Sequence, residues 1–158
     1  MVSVEAATSA DIDRVADRWV ELARGQRAHG SHLLADENRA NVREAVARHV
    51  VEGSLLVARD EGIVGFVMFE LQSGVYEQSA TRGIVQNVYV EPERRGEGIG
   101  SELLDAAESA LVERGAEVLA LEVLAANEDA RRLYRERGYE PYRIELEKSV
   151  ENDNHSKE

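Results

Sequence analysis

The sequence contains no cysteine. That excludes disulfide staples, thiolate metal ligands and a cysteine nucleophile. It has four histidines, His29, His32, His49 and His155, and none stands at a metal-binding spacing such as H-E-x-x-H. A zinc enzyme is therefore not expected. Lysine is nearly absent: two lysines and seventeen arginines stand against 31 acidic residues, for a formal net charge of −12. Binding along a duplex needs a basic face that releases counterions, so no nucleic-acid partner is expected. No apolar run approaches the roughly 20 residues of a membrane span, and no membrane partner is expected. Met1–Ala10 lacks the basic flank and apolar stretch of a secretory signal, which points to a cytoplasmic location.

What is present suits a folded enzyme-sized domain. A chain of 158 residues matches one domain. It should bury roughly 70% of the surface that its unfolded form exposes. The acid excess has two readings. Dense carboxylates keep a protein soluble in high salt, and an acidic groove attracts cationic substrates. The acids are spread along the whole chain, which favours the halophilic reading. The stretch 149–158 (SVENDNHSKE) is polar and cannot offset its ordering entropy, so a disordered tail is expected there.

Patterning places the elements. Val2–Ala7 reads as an edge strand and Ser9 as an N-cap. Ile12, Val15, Ala16, Trp19, Leu22 and Ala23 follow at helical spacing, and a second helix fits Asp36–Glu52 with Gly53 as its stop. Ser54–Arg59 and Ile63–Leu71 read as strands joined by the Asp60-Glu61-Gly62 turn. Gly74–Thr81 reads as a loop and Gly83–Val90 as a third β-rich run. A helix over about Gly98–Arg114 ends at Gly115. Val118–Leu124 is nearly all apolar, as a strand covered on both faces would be. A helix over Asn127–Arg137 and a last strand over Tyr139–Glu147 complete the order β-α-α-β-β-β-α-β-α-β. The fold class is α/β (α+β): a mixed, mostly antiparallel sheet with helices on both faces.

The segment Val88-Tyr89-Val90-Glu91-Pro92-Glu93-Arg94-Arg95-Gly96-Glu97-Gly98-Ile99-Gly100 carries the strongest signal. A strand runs into a glycine-rich turn that opens a helix. Such a turn gathers backbone N–H groups at the positive end of the helix, which makes an anion cradle. Arg94 and Arg95 add charge. The alternating glycines do not fit G-x-G-x-x-G, and no lysine supports a P-loop. The plain alternative is that they only make a tight turn and a close helix–strand contact.

The pattern R-x-x-G-x-G at Arg95, Gly98 and Gly100 resembles the acyl-CoA loop of the GNAT N-acetyltransferase family. The family's downstream signature is matched by Asn127, Ala130, Leu133-Tyr134 and Gly138-Tyr139. The resemblance covers roughly residues 2–147 and implies an acyl-CoA N-acyltransferase domain over 1–148. It implies that the backbone amides of Arg95, Gly96, Glu97, Gly98, Ile99, Gly100 and Ser101 hold the CoA pyrophosphate. It also implies that the edge of Asn87–Val90 pairs with the pantetheine arm, that this strand splays from the next to admit the arm, and that Asn127 touches it. An N-cap role suits Asn127 equally well. Glu97 departs from the pattern by placing a negative charge in the loop.

Acetyl transfer to an amine needs a neutral nitrogen, a stabilised oxyanion and a proton for the leaving thiolate. By resemblance, Tyr134 is the general acid and a backbone N–H near Val88–Val90 serves the oxyanion. The stretch Leu121-Glu122-Val123 with Asn127 and Tyr134 is locally similar to the ribosomal-protein N-terminal acetyltransferases, in which that glutamate is the base. Glu122 lies in an apolar run, where burial would raise its pKa; a glutamate at a splayed strand end, paired with an arginine, is the alternative. Glu70 is the runner-up base. His49, on an apolar helical face, reads as a core histidine, and His29, His32, Tyr76 and Glu77 as loop residues. Tyr139 and Tyr142 read as packing.

The expected activity is direct transfer from acetyl-CoA to a primary amine, with no metal. The acceptor is a small amine, an amino-acid derivative or a peptide N-terminus. A non-catalytic acyl-CoA-binding module and a nucleotide-binding regulatory domain are the alternatives. A homodimer is common in the family, although no residue here requires one.

Overall fold

The computed structural model describes residues 1–74 and 76–151. Val75, within the expected 74–81 loop, and 152–158, most of the expected tail, lie outside the described residues. The chain forms two compact units, Met1–Asn127 and the residues from Glu128 onward.

The first unit holds strands β1 (Ser3–Ala6), β2 (Leu55–Arg59), β3 (Ile63–Leu71), β4 (Arg82–Val90) and β5 (Val118–Leu121), with helices α1 (Ile12–Arg27), α2 (Arg39–Glu52) and α3 (Ile99–Glu113). The strands lie side by side in chain order. Pairing is antiparallel from β1 to β4 and parallel between β4 and β5. The β2–β3 turn falls on Asp60–Gly62, where Asp60 N–H donates to the Gly62 carbonyl at 2.9 Å.

Strand alternation divides the core. Val57, Phe66 and Tyr89 face each other across three strands and pack with Val15 of α1 and Val46 of α2. The Phe66 and Tyr89 rings stack at 5.8 Å. The opposite face receives α3, whose Leu103, Leu104, Ala107 and Leu111 are fully buried. Each of those leucines contributes roughly 1.5–3 kcal/mol by leaving water. Leu103 sits over Gly65 and Leu111 over Gly83, so the sheet approaches α3 where side chains are missing. Helices therefore cover both faces of the sheet.

Two local expectations change. The first helix is preceded by a turn over Ser9–Asp11, and the cap position is Thr8, not Ser9: Thr8 N–H donates to Asp11 Oδ2 at 2.8 Å. Asp11 is buried and takes both terminal nitrogens of Arg59, at 3.2 and 3.0 Å, a pairing 48 residues apart that no local pattern encodes. The strand expected over Val118–Leu124 ends at Leu121 and is not covered on both faces: Val118 is 43% exposed and Val123 37%. An apolar run reports a wish to be buried, not the cover itself.

The second unit contains α4 (Glu128–Glu136). The last expected strand, Tyr139–Glu147, is absent; those residues take no regular structure, and Tyr142, Ile144 and Leu146 are exposed. Their alternation gave the strand signal, but the described sheet holds the five strands β1 to β5.

Candidate active site

The glycine turn follows β4 directly. Glu91 N–H donates to the Val64 carbonyl at 2.9 Å, one tight turn covers Pro92–Arg94, and α3 opens at Ile99. Gly96 and Gly98 have φ of 86° and 87°. A side chain would cost roughly 1–2 kcal/mol in that left-handed region. The backbone N–H groups from Gly96 to Ser101 find no hydrogen-bond acceptor among the described residues. Nothing lies within 4 Å of where a Cβ would stand on Gly96 or Gly98. A run of unsatisfied donors at a helix N-terminus, with open space before it, is a fit for phosphate oxygens. Ile99 is buried and offers only its backbone.

The charges around this turn differ from expectation. Arg94 does not face the cradle: its Nε donates to both Glu97 carboxylate oxygens at 3.1 and 3.2 Å, and a terminal nitrogen to Asp60 Oδ2 at 3.1 Å. Those hydrogen bonds raise the Arg94 pKa, and the one from Arg94 lowers that of Asp60. The Met1 ammonium lies 3.3 Å from the other Asp60 oxygen. The negative charge of Glu97 is thus spent on Arg94, and the pair braces the turn against the β2–β3 hairpin. Arg95 anchors through Nε to the Val90 carbonyl at 3.1 Å, leaving its terminal nitrogens without a partner among the described residues.

Next to the turn, β4 has an open edge. It pairs with β5 from Arg82–Val118 to Val85–Leu121 and no further. Gln86 to Val90, including Val88 and Tyr89, carries no strand on that side among the described residues. The β4–β5 ladder stops there. The break coincides with a β-bulge: β3 pairs Met68 with Asn87 and Phe69 with Val85, skipping Gln86. A bulge kinks and twists its strand locally. The bulge left no mark in the apolar pattern of the sequence.

The Tyr89 side chain points into the core. Its hydroxyl donates to Glu21 Oε2 of α1 at 2.5 Å, and burial, with that hydrogen bond, pushes its pKa up. Arg18 of α1 bridges Glu21 at 3.3 Å and Glu91 at 2.6 Å, tying the helix to the start of the turn. Tyr89 therefore offers only its backbone to the open edge.

Three polar side chains, those of Glu122, Gln86 and Glu70, flank the point where β4 and β5 part. Glu122 follows the last paired residue of β5, and it is exposed, not buried. Glu122 is not enclosed by the apolar strand, because β5 ends one residue earlier, at Leu121. The bulge residue Gln86 donates from Nε2 to Oε1 of Glu70, which is half-buried near the end of β3. Asn127 is partly buried, its N–H held by the Leu124 carbonyl at 2.9 Å.

In the second unit, Tyr134 lies on α4 and is half-buried, and burial raises its phenol pKa. A phenol so placed stays protonated at neutral pH. The residues after it explain the Gly138-Tyr139 pattern. Tyr139 N–H donates to the Tyr134 carbonyl at 3.0 Å and Gly138 N–H to that of Arg135 at 3.0 Å. Gly138 has φ of 96°, which completes a Schellman stop. Tyr139 then meets the Tyr134 ring edge-on at 6.0 Å, a packing role.

His49 is a core histidine: it is 1% exposed, and its Nδ1 lies 2.7 Å from Ser54 Oγ. Burial lowers its pKa. His32 is exposed in the α1–α2 connection, where Arg27 donates to the His32 and Leu33 carbonyls. Tyr76 is 84% exposed. No helix among the described residues is long and apolar enough to cross a membrane, and no group of three acidic, histidine or cysteine side chains there is placed to hold a metal.

The sequence profile of the acetyltransferase (GNAT) family matches residues 16–139. The chain belongs to the GNAT family. Solved GNAT-type structures share its fold. A GCN5-related N-acetyltransferase from Ralstonia eutropha JMP134 is 21% identical, with a TM-score of 0.76, covering 96% of this chain and 99% of that one. A predicted acetyltransferase with acetyl-CoA from Clostridium acetobutylicum is 20% identical, with a TM-score of 0.71 and coverages of 96% and 98%. A PaiA N-acetyltransferase from Thermoplasma acidophilum, in complex with coenzyme A, is 16% identical, with a TM-score of 0.73 and coverages of 92% and 93%. No curated protein matches this GNAT chain in sequence.

Proposed function

We propose that this chain is an acetyl-CoA-dependent N-acetyltransferase that moves the acetyl group directly to a primary amine. The observation that carries the reading is the run of unsatisfied N–H groups from Gly96 to Ser101, continuous with the open edge Gln86–Val90. The first suits a diphosphate, and the second suits an extended arm rich in amides. The sequence contains no cysteine for an acetyl-enzyme, so transfer runs through a ternary complex.

In this reading, Arg95 and the amides through Ser101 hold the diphosphate, and Val88, Tyr89 and Val90 lend backbone groups to the arm and the developing oxyanion. Asn127 contacts the same arm. Tyr134 is the phenol that the resemblance assigns to the departing thiolate; its raised pKa suits a donor, since it is protonated at neutral pH. The resemblance assigns the base to Glu122. The acceptor is a small amine, an amino-acid derivative or a peptide N-terminus, and the reaction takes place in the cytoplasm.

The test is release of CoA thiol from acetyl-CoA, with spermidine, amino-acid amides and free-N-terminus peptides as acceptors. Turnover with any of them supports the reading, and the Tyr134→Phe substitution should then lower kcat by about 10²-fold or more. Acetyl-CoA binding without turnover on any acceptor would instead identify a non-catalytic acyl-CoA module.

A further inference from the structure

Two carboxylates flank the parting of β4 and β5, and the structure treats them differently. Glu122 is exposed and has neither a hydrogen bond nor an ion pair among the described residues. Glu70 is half-buried and held by the Gln86 amide. Gln86 is the residue that the β3–β4 register skips, and Val85 beside it is the last residue of β4 paired with β5. Two things therefore meet at the bulge. It lies where the β4–β5 ladder ends, and its side chain fixes a carboxylate on β3.

The face is also defined. Along β3, Phe66, Met68 and Glu70 alternate onto one side, and Phe66 and Met68 pack with Val15 of α1 and Val46 of α2. Glu70 thus stands on the side of the sheet covered by the first two helices. His49 of α2 feels its charge. From the anion turn, the open edge runs from Val90 back to Gln86, four residues or roughly 13 Å at about 3.3 Å per residue. An arm whose phosphate end lies in the turn and whose amides follow that edge ends beside Gln86 and Glu70.

We propose that Glu70, not Glu122, receives the acceptor ammonium and takes its proton, with Gln86 as the residue that positions the carboxylate. This rests on the acetyltransferase reading above. Glu70 Oε removes one proton from the ammonium nitrogen. The freed lone pair attacks the thioester carbon, the C–N bond forms and the C–S bond breaks. The departing electron pair stays on sulfur, which takes up a proton as thiol. The nitrogen gives up its second proton, and one proton net passes to water. Since the carboxylate meets the amine as a cation, the acceptor class is a basic primary amine.

The experiment compares wild type with Glu70→Gln, Glu70→Asp, Gln86→Ala and Glu122→Gln, each checked for its Tm and its affinity for acetyl-CoA. The acceptors are ethylamine, cationic at about pH 7.5, and 2,2,2-trifluoroethylamine, already neutral there. Glu70→Gln should bind acetyl-CoA within about twofold of wild type. It should lose about 10²-fold or more in kcat/KM with ethylamine, and at least tenfold less than that with trifluoroethylamine. Glu70→Asp should recover part of the loss. Gln86→Ala should show a smaller defect of the same amine dependence, which mere loosening of the fold would not produce. A Glu70→Gln enzyme within threefold of wild type on ethylamine would overturn the inference, as would a defect equal for both amines or one confined to Glu122→Gln. Failure of wild type to bind acetyl-CoA would instead sink the acetyltransferase reading itself.

Discussion

Gly65 is the position where one methyl group should do the most measurable harm. It pairs with Val90 at the end of β4, immediately before the anion turn. A Cβ placed there would meet the Tyr89 carbonyl oxygen at 2.6 Å, Leu103 Cδ1 at 3.2 Å and Val90 Cα at 3.5 Å. The first contact is with backbone, so no side chain can rotate to relieve it. Overpacking of this kind costs about 1–3 kcal/mol, partly offset by the roughly 0.5–1 kcal/mol that alanine gains over glycine within a strand. A net loss of about 1–2 kcal/mol, at about 2–4 °C per kcal/mol for this length, lowers Tm by roughly 2–8 °C. Tyr89 and Val90 must move away from β3, and the turn moves with them, so acetyl-CoA should bind several-fold more weakly. The control is Gly62→Ala, where nothing lies within 4 Å, and its Tm should stay within about 1 °C of wild type. Thermal unfolding and calorimetric titration of both variants decide it. A Gly65→Ala protein with unchanged Tm and unchanged acetyl-CoA affinity would refute the packing argument.

Other consequences are equally concrete. Burial works against ionisation of Asp11, but the hydrogen bonds from Arg59 and from the Thr8 N–H, with the Arg59 charge, outweigh it and hold its pKa below the usual 3.8. Its folded pKa being depressed, its stabilisation is present above that usual value and lost as pH falls through the folded one. Acid titration of Asp11→Asn should therefore show a lower Tm near neutrality and a shallower loss below about pH 4. Gly98→Ala should weaken acetyl-CoA binding at least tenfold in a titration, because φ of 87° is strained for alanine and the donors would turn aside. Gly138→Ala should lower stability by about 1 kcal/mol in denaturant melts through loss of the helix stop. If the acid excess is a high-salt adaptation, Tm should rise steadily toward molar KCl; a flat profile would favour the cationic-acceptor reading.

What could be read from the sequence was what repeats at fixed spacing. The 3.6-residue pattern of Val15 and Trp19, and that of Leu103, Ala107 and Leu111, located the helices. Gly98 and Gly100 after a strand located the turn, and Gly53 and Gly115 the ends of two helices. What was hidden depends on partners far along the chain. Arg94 looked like a free cation until Asp60, 34 residues away, and Glu97 claimed it. The skipped Gln86 is a matter of register between two strands, which no single strand announces. Glu122 looked buried because its neighbours are apolar, yet β5 stops just before it. Tyr142, Ile144 and Leu146 alternate as a strand should, yet they take no regular structure and their side chains are exposed.

The most direct test of the account is an experimental structure of the chain with acetyl-CoA bound. Diphosphate oxygens should lie within hydrogen-bond range of the amides between Gly96 and Ser101, the pantetheine arm along the Gln86–Val90 edge, and the thioester beside Gln86. Acetyl-CoA seated elsewhere, or with its diphosphate away from those amides, would contradict it.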